Sequence, residues 1–353
     1  MKRIEHFVPA SRDEGEAILS RLRWPIPPGV SQTYVEAYTE PGAMVLMPYC
    51  QGSAGVQETL ASGRRALAVN FDPTVMLVVE TALTPLPARQ VDAAVARLGD
   101  STKQGVPLRH YLEGLYATIC PACLRQAVAD YFIWDREQDT PVAKSLKCRA
   151  CGWDGQAAVD PEDRKRLAEV PVGGMHYHYV LDRVIPRTQE DTLRVRVEPL
   201  LKLYSPRNLY ALAELTLRLE SLFPNGLTRR TLNVLLLDCL DRCSSLTPLG
   251  TSRSRRRGLS RPRRFLERNV WYAFEEAVTR LQASSGTSVS GLADTFEAFQ
   301  TGGEEWDGFV GRGLVRELAR TLPPRSIQLI LASPPSLNSA AWTLSYFWGS
   351  WLL

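Results

Sequence analysis

Four of the chain's seven cysteines fall in two C-x-x-C pairs, Cys120 and Cys123 in "CPAC" and Cys148 and Cys151 in "CRACGWDG", with 24 residues between the pairs. No other feature limits the local fold so sharply. Two pairs of thiolates, each pair carried on a tight turn, can surround one tetrahedral zinc, and Gly152 suits the turn after the last ligand. Four sulfur ligands leave no open position for water, so a metal held this way stabilises a knuckle and does not catalyse. The alternative is four unligated, buried thiols. An odd cysteine total argues against a disulfide framework. Cys239 and Cys243, one helical turn apart in an apolar stretch, read as core residues.

The 353-residue chain has 44% hydrophobic content and a formal charge of +4. That is enough apolar material for one large domain with insertions or for two domains, and too little net charge to say anything about partners. The opening "MKRIEHFVPASRDEGEAIL" has scattered charges and lacks the apolar core of a secretory signal, so a cytoplasmic protein is expected. The final 18 residues, "SLNSAAWTLSYFWGSWLL", carry no charge and just reach membrane-spanning length. Their four serines and one asparagine favour a buried aromatic helix or strand pair, and no membrane partner is expected.

Residues 41–80 read β-turn-α-β: "AMVLM" as a buried strand, "VQETLASG" as a helix closed by Gly63, and "RALAVNF" as the next strand, giving a parallel pair with a helical crossover. "SPRNLYALAELTLRLESLF" opens with a Ser205 cap and Pro206 at its first turn, and Leu209, Leu212, Leu215, Leu219 and Leu222 form one face. "TRRTLNVLLLDCLDRC" and "RFLERNVWYAFEEAVTRLQ" read as further helices, and "IQLILAS" as a strand near the end. Four regions follow: 1–85 with the β-α-β unit, 86–200 with the zinc ribbon at about 116–156, a helical and arginine-rich 201–300, and a return to the sheet over 301–353.

The stretch "EPGAMVLMPYCQGSAGVQETLASGRRALAVNFDP" resembles the first cofactor motifs of amino-group DNA methyltransferases, and "ILASPPSL" resembles their catalytic "DPPY" or "SPPY" signature. With the cysteine pairs, "YSPRNLYALAEL" and "RPRRFLERNVWYAFEEA" between them, the chain resembles the adenine-specific subgroup that contains a zinc ribbon. The resemblance implies an α/β fold: a Rossmann-like S-adenosylmethionine-dependent methyltransferase sheet with an inserted zinc ribbon and helical region. Carried over residue by residue, it makes Pro48, Tyr49, Gly52 and Ser53 the S-adenosylmethionine loop. It puts Glu58 on the following helix, Asn70 at the ribose position, and Ser333, Pro334 and Pro335 around the target base. Such a base must leave its stack to be reached.

Several positions depart from that pattern. Met47 stands for an aspartate, Gln51 for a glycine, Asn70 for the ribose-binding acid, Gln328 for an acid, and Ser336 for an aromatic ring that would stack on the base; Trp342 and Tyr346 are candidate replacements for that ring. Ser333 agrees with the cytosine-N4 branch. Strands that ordinarily follow the catalytic loop are not found after Ser336, so the sheet is expected to be incomplete, as in one part of a split or truncated methylase.

"RSRRRGLSRPRR" carries Arg253, Arg255, Arg256, Arg257, Arg261, Arg263 and Arg264. Such a run gives sequence-independent, salt-sensitive affinity for nucleic acid, or else it is a solvated loop. His176 and His178 alternate as on a strand, and with no acid beside them in sequence they read as structural or surface residues. The expected activity is methyl transfer from S-adenosylmethionine to an exocyclic amine of adenine or cytosine in DNA. The alternatives are an inactive zinc-ribbon DNA-binding subunit, and one part of a methylase whose sheet a second polypeptide completes.

Overall fold

The computed structural model describes residues 8–10, 18–185, 190–249, 258–284, 288–303, 305–335 and 338–353. By its internal contacts the chain divides into two compact units: Met1–Leu86 with Arg280–Ser339, and Pro87–Thr279 with Ala340–Leu353.

Unit 1 is built on a five-stranded, all-parallel sheet. The strands lie in the order Leu292–Ala293, Gly308–Arg312, Arg65–Asn70, Met44–Pro48, Leu329–Ile330. The two expected front strands pair in register, Val45 opposite Ala66 and Leu46 opposite Leu67, and Val45 also faces Leu329. Because side chains alternate along a strand, Val45, Met47, Ala66 and Ala68 enter one apolar cluster with Val56, Val75 and Val79. Leu46, Leu67 and Val69 enter the opposite one with Phe299, Phe309 and Leu318. Both faces are covered, which is why these strands are continuous apolar runs. The crossover helix Ala54–Ala61 ends at Gly63, whose φ of 72° is the left-handed geometry a glycine adopts without strain. The next helix, Pro73–Leu83, is capped by Asp72, whose carboxylate accepts from the Thr74 and Val75 N–H groups.

Two strands of this sheet, Leu292–Ala293 and Gly308–Arg312, lack a clear signature in the sequence. Gly308–Arg312 pairs with Arg65–Asn70, and its glycines are there for space: a Cβ on Gly308 would stand 2.8 Å from the Ala66 carbonyl oxygen. The expected "IQLILAS" strand shortens to Leu329–Ile330, with flanking ladder bonds from Gln328 N to Met44 O (3.0 Å) and Leu331 N to Leu46 O (2.9 Å).

Unit 2 combines an antiparallel sheet with helices. Ala117–Ile119, Gln126–Asp135, Thr140–Lys147 and Asp154–Ala158 follow one another as neighbours, and Arg264–Arg268 pairs with the free side of Gln126–Asp135. "RFLER", expected as the start of a helix, is therefore a strand, and the helix begins at Val270. Helix Pro206–Leu222 starts as expected, with Ser205 Oγ accepting from Asn208 N at 3.2 Å. The uncharged C-terminal stretch forms helix Ser339–Leu352, in which Leu344, Phe347, Trp348 and Trp351 are fully buried. Trp348 Nε1 donates to the Tyr204 hydroxyl, which donates to Leu240 O, both at 2.9 Å. Among the described residues no helix is long and apolar enough to cross a membrane.

A buried charge cluster secures the antiparallel sheet. Lys144, 2% exposed, donates to Asp160 (2.6 Å), Asp163 (2.8 Å) and Thr118 Oγ1 (2.7 Å). Asp160 and Asp163 also form the capping box of helix Pro161–Ala168, so one ammonium ties that helix to two strands. Removing it strands the Asp163 carboxylate away from water, while Asp160 stays partly exposed. Lys144→Ala is expected to lower stability by about 3–5 kcal/mol, read as the shift of the urea unfolding midpoint.

Candidate functional site: a four-cysteine centre and the carboxyl edge of the parallel sheet

The sulfurs of Cys120, Cys123, Cys148 and Cys151 all lie within 4.8 Å of one another. Cys120 and Cys151 are 3.7 Å apart, as are Cys123 and Cys148. Four ~2.3 Å metal–sulfur bonds in tetrahedral geometry require sulfurs about 3.8 Å apart, so the cluster can hold a metal ion such as zinc. Matching turns present the two pairs. Leu124 N donates to Cys120 O (3.0 Å), Gly152 N donates to Cys148 O (2.8 Å), and Gly152 adopts φ 77°. Burial works to raise the Cys120 thiol, but the backbone N–H groups of Cys123 and Ala122 and the neighbouring thiols outweigh it and bring it down to about 7. At Cys151 the backbone N–H of Trp153 works to lower the thiol, but desolvation and the three neighbouring sulfurs outweigh it and push it up to about 12.

The second site is the carboxyl edge of unit 1's sheet. After Pro48 the chain turns through Tyr49 at φ 61°, and Cys50 N donates to Val69 O (2.9 Å). Gln51, 5% exposed, then closes a ring of three hydrogen bonds. Trp24 N donates to Gln51 Oε1 (2.7 Å), Gln51 Nε2 donates to Ser333 O (2.9 Å), and Ser333 Oγ donates to Trp24 O (3.2 Å). The turn after the first strand and the diproline loop thus meet beyond adjacent parallel strands. Ser333 and Pro335 are half-buried and Pro334 is exposed.

The glycine of this turn serves the chain itself. A Cβ on Gly52 would stand 2.6 Å from Pro25 Cβ, so the position is glycine to admit residues 24–25 across the turn. Ser53, at the start of helix Ala54–Ala61, makes no side-chain cap bond. Asn70, 4% exposed, donates from Nδ2 to Cys50 O (2.9 Å) and accepts from Asp72 N (3.0 Å), so both ends of its carboxamide are bound internally. The other departures also have local uses. Met47 packs in the core with its sulfur beside Gly55, and Gln328 Oε1 accepts from Glu40 N (3.2 Å). Glu58 caps the first helix, Val30–Tyr38, by accepting from Gly29 N (2.6 Å) and Gln32 N (2.9 Å). Ser336 lies outside the described residues, and Tyr346 donates to Val184 O within unit 2.

Beside the ring a cavity of about 650 Å³ is lined by Pro25, Ser31, Tyr34, Tyr38, Leu331 and Ser333 among others. The Tyr34 and Tyr38 rings stack at 6.2 Å, and the Ser31 hydroxyl is buried without a hydrogen-bond partner among the described residues. Sequence reasoning missed these residues, because nothing in "VSQTYVEAY" marks its tyrosines as facing a cavity.

Of the arginine run, Arg253, Arg255, Arg256 and Arg257 lie outside the described residues. Arg263 pairs with Asp135 (3.6 Å) and Glu137 (3.2 Å), and Arg264 pairs with Asp135 (3.5 Å), so these two serve the strand pairing as well as the surface. Arg261 forms no ion pair among the described residues. His176 and His178 lie on helix Met175–Val184 and not on a strand. His176 Nε2 meets Glu214 at 2.8 Å, an acid 38 residues away that sequence proximity could not reveal.

Two tests follow from this geometry. The protein is expected to carry one metal ion per chain by elemental analysis, to lose it in Cys148→Ser, and to release it on acidification, because the thiolates must stay deprotonated to bind. Gly52→Ala is expected to cost about 1–3 kcal/mol in chemical unfolding, through collision with Pro25.

Compared with known proteins, the chain matches no family model, no curated protein and no solved structure.

Proposed function

We propose that unit 1 is a site of the amino-group DNA methyltransferase type, in which the diproline loop keeps its base-holding role and the ribose grip has been given up. The observation that carries this reading is the meeting of the Pro48–Ser53 turn with Ser333–Pro335 at the carboxyl ends of adjacent parallel strands, beside an open cavity. Ligands of open α/β sheets bind in that position.

The chemistry asked of the chain is modest. An exocyclic amine on a base is a poor nucleophile because its lone pair is delocalised into the ring, and an acceptor for its protons frees that pair. Ser333 Oγ has committed its own proton to Trp24 O, which leaves its lone pairs available to accept from an amine. The ring from Gln51 fixes the hydroxyl's position in advance. Tyr34 and Tyr38 line the same cavity and offer the flat face that the family's aromatic residue would supply. The buried Ser31 hydroxyl offers a ligand one further hydrogen bond. S-adenosylmethionine, when bound, supplies an electrophilic methyl group. Asn70 does not fit the ribose of that cofactor, since both ends of its carboxamide are occupied and it is buried. The four-cysteine centre fits a structural zinc that orders the ribbon.

That misfit supports a second reading: a nucleic-acid-binding subunit that transfers no methyl group. Calorimetric titration of S-adenosylmethionine into metal-loaded protein separates the two. Methyl transfer requires measurable cofactor binding, with Ser333→Ala leaving that binding intact and lowering methyl incorporation into DNA by about 100- to 1,000-fold. No cofactor heat, together with DNA affinity that falls steeply with salt, gives the field to the second reading.

A further inference from the structure

Unit 2 contains a cavity of about 430 Å³ that shares no residue with the sheet-edge site. Its size lies within the ~300–1,000 Å³ usual for small-molecule sites. Its buried wall is aromatic: Trp134, Tyr204, Tyr210 and Phe265 are each less than 10% exposed. These rings are held from behind. Tyr204 donates to Leu240 O, the Tyr210 and Tyr111 hydroxyls are bonded at 2.6 Å, and Trp134 stacks on Phe265 at 6.0 Å. His176 lies against Tyr210 at 4.2 Å and is itself fixed by Glu214. Such a wall is set before any ligand arrives.

The same cavity is lined by three cations, Arg136, Lys202 and Arg261. Arg136 Nη1 donates to Arg261 O (2.8 Å), which brings the two guanidinium-bearing residues together. None of the three forms an ion pair among the described residues, although surface arginines nearby, such as Arg263, do. Arg261 Nε is buried and has no hydrogen-bond partner among the described residues. Burial and the charge of Arg136 both hold the Arg261 guanidinium below the usual arginine range, with Asp139 opposing them. Two acids also line the cavity: Asp139, which forms no ion pair with either arginine among the described residues, and Glu198, which feels the charge of Lys202 but already accepts from the Tyr177 hydroxyl (2.5 Å) and pairs with Arg194 (3.2 Å); the Arg261 guanidinium lies 6.0 Å from the centre of the Phe265 ring. A buried, unpartnered donor beside a second like charge costs free energy unless an anion completes it.

We propose that this cavity binds a nucleotide, its base against the aromatic wall and its phosphate at the Arg136–Arg261 pair. Arginine meets phosphate through two parallel N–H bonds, and a flat base stacks on any of these rings regardless of its identity. Phosphate alone leaves the rings unused, and a nucleoside alone leaves the cations unmet. The ligand is either a free nucleotide or an unpaired nucleotide within a strand, and the two share this chemistry. The inference stands apart from methyl transfer in unit 1.

The test uses the metal-loaded full chain and isothermal titration with adenosine 5′-monophosphate, adenosine, inorganic phosphate and a short single-stranded oligodeoxynucleotide. The monophosphate is expected to bind about tenfold or more tightly than adenosine or phosphate, and Arg261→Met is expected to lose that advantage. Lys202→Met, an exposed position, supplies a second variant that folds regardless and weakens binding in the same direction. Oligonucleotide binding much tighter than the monophosphate, and equally sensitive to Arg261→Met, assigns the site to an unpaired nucleotide of a strand; equal or weaker oligonucleotide binding assigns it to a free nucleotide. Ser333→Ala, at the sheet-edge site, is expected to leave the monophosphate titration unchanged, which keeps the result separate from the fate of the unit 1 reading. No monophosphate binding, binding that survives Arg261→Met and Lys202→Met together, or monophosphate binding lost in Ser333→Ala overturns the proposal.

Discussion

Unit 1 depends on a ring of three hydrogen bonds joining Trp24, Gln51 and Ser333. The outermost strand, Leu329–Ile330, is two residues long, and only a few ladder bonds fasten it to Met44–Pro48. Bonds of this kind are worth about 0.5–1.5 kcal/mol each net, but leaving a buried carboxamide such as that of Gln51 unpaired costs more than making the bond gains. A glycine at position 51 could not reach either partner. The long side chain spans from the entering N-terminal segment to a residue 282 positions later, and Gly52 beside it must lack a side chain so that Pro25 can pass. Two adjacent residues therefore divide the work of closing the sheet edge, one by reach and one by absence.

Unit 2 solves a different problem. Its antiparallel sheet has the small apolar cluster of Cys120, Leu146 and Cys148 at one end, with little else to bury there. Polar organisation fills the gap: the thiols at the tip, and Lys144 with its two aspartates behind them. Farther along, Arg207 is fully buried between the Tyr116 and Phe132 rings and pairs with Glu267 at 3.6 Å, while Glu267 also accepts from Ser205 Oγ. The capping residue of the long helix is thus bound into the sheet as well.

The parts of this fold that could be read in the sequence were those with local chemistry. The cysteine spacing, the β-α-β run, the Ser205–Pro206 helix start and the uncharged C-terminal stretch each depend on residues close together in the chain, where periodicity and turn chemistry act. What escaped depends on distant partners. Gly308–Arg312 has a strand's conformation because Arg65–Asn70 waits beside it, and "RFLER" because Gln126–Asp135 has a free side. The candidate site divides in the same way. The loops of Gly52 and Ser333 could be singled out from sequence, but the space Gly52 leaves for Pro25 and the bonds of Gln51, Asn70 and His176 appear only with their partners.

The interleaving of the two units bears on synthesis. The Met44–Pro48 and Arg65–Asn70 strands leave the ribosome well before Gly308–Arg312 and Leu329–Ile330 exist, and at ~5–20 residues per second that interval lasts on the order of tens of seconds. During translation their apolar edges stand open, while the intervening residues 87–279 emerge and await helix Ser339–Leu352 in turn. Neither unit can close before residues 308–352 have been made, so the central strands of the parallel sheet spend that whole interval without their outer neighbours.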